Sequence, residues 1–192
     1  MTPSAIGISG RMLSGKSSVS RELAARLGCV RAGFGDYVRH VARSEGRDDT
    51  DRKVLQELGQ RLITADLQAF CRSTLTFAGW QSQSSVVVDG IRHVSVLQCL
   101  RTMLAPSPLR LVFLDVPDAL LAGRLQSRGI EDLACLREFE KHATEVEVQA
   151  VLKLQADLVI GGHLEVGEIV SQIVAFLHKA GASERWPQPR PS

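Results

Sequence analysis

Apolar residues recur along the chain in two rhythms. Short, nearly unbroken apolar runs have the composition of strands covered on both faces: Ala5 to Ser9, Cys29 to Ala32, Ser85 to Asp89, Arg110 to Asp115 and Ala156 to Ile160. Between them apolar residues return every third or fourth position, the period of a helix packed along one side. Val19, Leu23, Ala24 and Leu27 define a helix from Lys16 to Leu27 that Gly28 stops. Gly33 to Asp36 reads as a turn, Tyr37 to Ser44 as a helix and Glu45 to Thr50 as a polar loop. Asp51 is placed to cap one long helix reaching Ala78, on the stripe Val54, Leu55, Leu58, Leu62, Ile63 and Leu67. Further helices are expected from Val94 to Leu104, from Pro117 to Arg128 and from Leu164 to His178. Residues 129–149 are charged and read as a loop with a helical segment, and the tail 181–192, with three prolines, is expected to be disordered.

Strand and helix alternate five times, which predicts an α/β domain with a parallel sheet covered by helices on both faces. No internal repeat or linker divides it, so residues 1–180 are expected to form one domain. Ligands of such sheets sit beyond the carboxyl ends of the strands. The polar landmarks Gly10 to Ser17, Asp36, Asp89 to Arg92, and Asp115 all fall there. Asp115 is read as a cap for the helix after it rather than as a metal ligand.

Composition narrows the picture. The chain has 192 residues, 44% hydrophobic and 23% charged, the balance of a globular domain. No apolar run suffices to span a bilayer, and the start of the chain has no basic region followed by an apolar stretch, so neither a membrane protein nor a secreted one is expected. Cys29, Cys71, Cys99 and Cys135 form no CxxC, and no histidine pair has metal-ligand spacing, which points to a reducing, cytoplasmic setting without a zinc site. A net charge of +2 gives no nucleic-acid surface. The 23 basic residues are mostly arginine, whose planar fork fits phosphate oxygens in pairs.

One motif carries specific chemistry. Gly10-Arg11-Met12-Leu13-Ser14-Gly15-Lys16-Ser17 fits G-x-x-x-x-G-K-[ST] at every fixed position, between a strand and a helix. The glycines let the backbone wrap a phosphate, and successive N–H groups then point inward at a helix N-terminus. Lys16 can reach the β- and γ-phosphates, the Ser17 hydroxyl can hold Mg²⁺, and Ser18 completes the ATP-binding set.

With Gly35-Asp36-Tyr37-Val38-Arg39 after the second strand and Asp89-Gly90-Ile91-Arg92 at the end of the third, the chain resembles the P-loop nucleotide kinases, the superfamily of nucleoside monophosphate kinases and dephospho-coenzyme A kinase. The resemblance implies a three-layer P-loop sandwich with strand order 2-3-1-4-5, acceptor-binding helices over about 36–80 and a small lid over about 124–150. It also implies that Arg39 and Arg92 grip the acceptor phosphate and that Asp89 is the carboxylate near Mg²⁺, partly through water. Arg124 and Arg128 resemble lid arginines, and Ala156 to Ile160 resembles the closing strand of dephospho-coenzyme A kinase. Asp51-Arg52 and Leu55 to Gly59 are similar to a phage deoxynucleoside monophosphate kinase segment.

Phosphoryl transfer needs positioning and cationic stabilisation of the equatorial oxygens, which Lys16, Arg92, Arg124 and Arg128 could supply. Asp36 could orient an acceptor hydroxyl or help to bind Mg²⁺, and Gln56 and Gln98 could read a base edge. The expected function is ATP-dependent phosphorylation of a nucleoside or deoxynucleoside monophosphate by a monomer or homodimer. Dephospho-coenzyme A is the alternative acceptor, and a regulatory nucleotide switch the alternative class, against which stands the absence of an N-K-x-D guanine-reading motif.

Overall fold

Every residue of β1 (Ala5–Gly10) is buried, which requires a strand flanked on both edges and covered on both faces. The computed structural model, which describes residues 4–126 and 151–183, places β1 in that position. Its neighbours are β2 (Val30–Gly33), β3 (Val86–Asp89), β4 (Leu109–Asp115) and β5 (Leu158–Gly161), and all are parallel in the order β2-β3-β1-β4-β5. This is the expected 2-3-1-4-5 order. The helices are α1 (Lys16–Leu27), α2 (Phe34–Ser44), α3 (Arg52–Ala65), α4 (Leu67–Phe77), α5 (Val94–Met103), α6 (Asp118–Gln126) and α7 (Val166–Ser183).

Side chains alternate across each strand and so divide the core in two. Ile6, Ile8, Val87, Val112 and Leu114 face α1 and α7, meeting Val19, Leu23, Ile169, Val170 and Ile173. Val86, Val88, Leu109, Leu111 and Phe113 face the other way, onto Phe34 and Val38 of α2, Leu58 of α3, Phe70 and Leu75 of α4 and Leu97 and Leu100 of α5. Each fully buried aliphatic or aromatic side chain contributes about 1.5–3 kcal/mol relative to exposure. The register sets Asp89 opposite both Ile8 and Gly33, so β2 and β3 end level, while β1 continues to Gly10 beside β4 and the loops open on one side.

Three local expectations change. The single helix from Asp51 to Ala78 is two helices, because Asp66 is extended (φ −161°, ψ 99°) and its carboxylate accepts the Ala69 N–H at 2.8 Å, capping α4 anew. The turn expected at Gly33 to Asp36 is the first turn of α2, which begins at Phe34 because Gly33 already carries the extended backbone of a cap. The last helix runs beyond His178 to Ser183, into the start of the expected tail. Asp51 caps α3 as expected, accepting from Lys53 N–H at 2.7 Å, and Gly28 ends α1 in the left-handed conformation at φ 62°. Arg128 and most of the expected lid lie outside the described residues. None of the described helices is long and apolar enough to cross a membrane.

Candidate active site

The loop between β1 and α1 folds around its own lysine. Gly10 takes φ 142°, and a Cβ there would lie 2.6 Å from the Leu114 carbonyl oxygen, so only glycine lets β1 turn out of the sheet against β4. The buried Lys16 then reaches back along the loop. Its Nζ donates to the Gly10 carbonyl at 2.7 Å, to the Arg11 carbonyl and to Ser14 Oγ at 3.3 Å. These bonds hold the ammonium inside the curve of the backbone that would receive a phosphate. At the side of the loop, Arg11 pairs with Asp118 at the start of α6 and holds that carboxyl below its ordinary pKa.

The loop opens into a cleft of about 430 Å³. One end is formed by Met12 to Ser18. The rest of the lining is cationic and apolar together: Arg39 and Arg92 share it with Phe34, Val38, Leu55, Ile63, Phe70 and Val96, while Arg52 reaches back to Met12 of the loop. The loop after β3 brings Arg92 there by a fixed path. Gly90 is left-handed (φ 86°), its N–H donates to the Ile8 carbonyl at 3.2 Å, and Ser9 Oγ donates to the Ile91 carbonyl at 2.8 Å. Asp36 and Asp89 line the cleft too, joined by Arg31 of β2. The Arg31 guanidinium donates to Asp36 Oδ2 and Asp89 Oδ2, both at 2.5 Å, and its Nε donates to Ser20 Oγ at 2.8 Å. Burial works against its charge, but the bonds and attraction to both carboxylates outweigh that and raise its pKa.

The structure therefore brings Lys16, Ser17, Ser18, Asp36, Arg39, Gln56, Asp89 and Arg92 to one cleft. Gln98 is not among them. It is exposed on α5, whose inward face is taken by Val96, Leu97 and Leu100. Arg124 has a different neighbourhood from that expected of a lid. Its Nη1 donates to the Leu13 carbonyl at 2.9 Å and Nη2 to the Gly162 carbonyl at 2.7 Å, so it clamps α6 to the phosphate loop and to the turn after β5. The carboxylate of Asp115 accepts from Lys153 Nζ at 2.8 Å, and α6 starts three residues later, with the Leu120 and Leu121 N–H groups donating to the Pro117 carbonyl. Arg31 has no role in the sequence reading, and Arg52 enters it only as part of a resembling segment. Arg31 is signalled by a charge inside an apolar strand, and Arg52, whose Nη1 meets Met12 Sδ, by its place in the first turn of α3. Cys71 is fully buried, and burial together with the adjacent Cys99 pushes its thiol up.

The donors available to a metal are hard oxygens. Ser17 and Asp89 both line the cleft, and Asp89 has one oxygen engaged by Arg31. Among the described residues no group of three or more His, Cys, Asp or Glu gathers as a metal cage. That set fits Mg²⁺, which binds through one or two protein oxygens with phosphates and waters completing the shell, and does not fit a transition metal.

A parallel sheet in this order, with a complete phosphate loop after its central strand, is the P-loop kinase fold. The family model described as an AAA domain matches residues 6–165, and the chain belongs to that family. No curated protein matches it in sequence. Among solved structures it is similar to a gluconokinase from Sinorhizobium meliloti 1021, with 24% identity, a TM-score of 0.63 and 95% of each chain covered. It is similar as well to a shikimate kinase from Aquifex aeolicus, with 17% identity, a TM-score of 0.57, and 93% of this chain and 98% of that one covered. A shikimate kinase from Bacteroides thetaiotaomicron aligns at 16% identity and a TM-score of 0.58, covering 91% of this chain and 98% of that one.

Proposed function

We propose that the protein transfers the terminal phosphoryl group of ATP to a small anionic acceptor, and that this acceptor is a nucleoside or deoxynucleoside monophosphate. The observation that carries the reading is the composition of the cleft lining beyond the phosphate loop. A flat, partly apolar body would lie between Phe34, Val38, Leu55, Ile63, Phe70 and Val96, while a phosphate would meet Arg39 and Arg92. Gln56 lines the same space and would pair with a base edge.

The phosphate loop would bind the donor through its backbone N–H groups, and Lys16 would follow the charge that builds on the transferring group. Ser17 would hold Mg²⁺ directly and Asp89 through water; the ion supplies charge neutralisation on the phosphate oxygens. Arg39 and Arg92 would orient the acceptor so that its oxygen lies in line with the donor, and Asp36 would fix the acceptor's approach. The clamp made by Arg124 keeps the loop from yielding as the charge moves.

The gluconokinase and the shikimate kinases among the structural neighbours motivate a second reading, an acceptor that offers a hydroxyl and a carboxylate. Asp36 in the cleft is compatible with it, because a carboxylate can orient a hydroxyl.

Replacing Arg39 or Arg92 by Ala separates acceptor binding from donor binding. Each variant should raise the acceptor KM by about 10- to 100-fold, the loss of a charge-assisted phosphate contact, with ATP affinity changed less than about twofold. Steady-state kinetics with each substrate varied in turn reads both. A fall in ATP affinity with the acceptor KM unchanged would place these arginines on the donor and remove the reading's support.

A further inference from the structure

We propose that Arg31 is a positioning residue of the transfer reaction, a bracket that fixes Asp36 and Asp89 as a pair in the cleft. The inference rests on the kinase reading of the cleft, though not on which acceptor fills it.

Arg31 ties together three elements. Ser20 belongs to α1, which starts at the phosphate loop; Asp36 belongs to α2, which carries Arg39; Asp89 ends β3, just before the segment that carries Arg92. A single planar fork sets the spacing of the two carboxylates, because Nη1 and Nη2 each take one at 2.5 Å. The Arg31 side chain is only 16% exposed and that of Asp89 6%. The backbone makes room for the bracket: a Cβ on Gly33 would lie 2.4 Å from Asp36 Oδ2 and 3.2 Å from Arg31 Nη1.

Stability alone is a poor account of such an arrangement. Removing charges from water is expensive, and well-packed apolar residues often serve a core as well as a buried ion pair does. Arg39 Nη1 also lies 3.5 Å from the second Asp36 oxygen, so the bracket reaches an arginine of the cleft wall as well. Two carboxylates held in this way are useful where a cation and a proton-bearing acceptor must be aimed. Arg31 itself would touch neither substrate; it acts through the two carboxylates.

The test compares Arg31→Lys, alone and combined with Asp36→Asn, using whichever acceptor supports transfer. An ammonium keeps the charge but is a point donor that cannot span both carboxylates. Arg31→Lys should lower kcat on the order of 10- to 100-fold, the effect of a small misplacement. ATP affinity by calorimetry and the thermal midpoint should stay near those of the parent. Adding Asp36→Asn should then lower kcat by less than about twofold more, because the two changes break one unit. Full kcat in Arg31→Lys overturns the proposal, as does a full multiplicative loss in the double variant or a loss confined to the thermal midpoint. If Arg31→Lys does not fold, Ser20→Ala carries the test. Removing the anchor of Nε should lower kcat by about 3- to 10-fold, and unchanged kcat there is the contrary result. An acceptor that is no nucleotide would end the nucleotide reading and leave this comparison intact.

Discussion

Lys16→Ala is expected to abolish phosphoryl transfer while leaving the fold in place. The side chain is buried in the loop, and its Nζ binds the Gly10 and Arg11 carbonyls and Ser14 Oγ, so it is the long cation held where donor phosphates would lie. Losing one preorganised charge of this kind costs about 10²–10³ in kcat, and a group that also shapes the loop costs at least as much. The Gly10, Arg11 and Ser14 partners of the Lys16 ammonium lie within the loop rather than in the apolar core, so unfolding is not the expected route to inactivity. Turnover and circular dichroism of the variant check both halves. Near-parental turnover would remove the phosphate loop from the mechanism.

Asp89→Asn has the second largest expected effect. The change is nearly isosteric on a buried side chain at the end of β3, and it removes the charge from one side of the Arg31 bracket. Activity titrated against Mg²⁺ should need a higher metal concentration, with maximal turnover down by about 10- to 100-fold, while ATP binding measured without metal changes little. An unchanged Mg²⁺ curve would assign the metal to another oxygen, with Asp36 the nearest candidate in the cleft.

The parts of this site legible in the sequence are those written locally. The phosphate loop is one contiguous motif, and the buried runs Val86 to Asp89 and Leu109 to Asp115 declare central strands through apolar continuity. The order of the strands came from resemblance, since periodicity says nothing about which strand lies beside which. Asp66 was hidden because the apolar stripe continues across it, and its side chain acts as a cap only once the backbone has turned. That Leu55 and Ile63 line a cleft as well as packing on the core was hidden, since an apolar helical stripe has the same spacing in either setting. Gln98 failed for the complementary reason: a glutamine on a helix gives no sign of which face it occupies until its neighbours pack. Arg31 was legible in principle, as a charge within an apolar strand five positions before an aspartate, but its second partner, Asp89, is 58 residues away and only the sheet brings them together.

The central claim is that the cleft serves ATP at one end and a phosphate-bearing, flat acceptor at the other. The most direct measurement is ADP release with ATP and Mg²⁺ across a panel of acceptors: ribo- and deoxyribonucleoside monophosphates, dephospho-coenzyme A, shikimate and gluconate. The account predicts that one or a few nucleoside monophosphates stimulate release well above the rate with ATP alone and are recovered as diphosphates. Stimulation by shikimate, gluconate or dephospho-coenzyme A with every monophosphate inert would contradict the acceptor assignment, and release that no acceptor stimulates would contradict the kinase account itself.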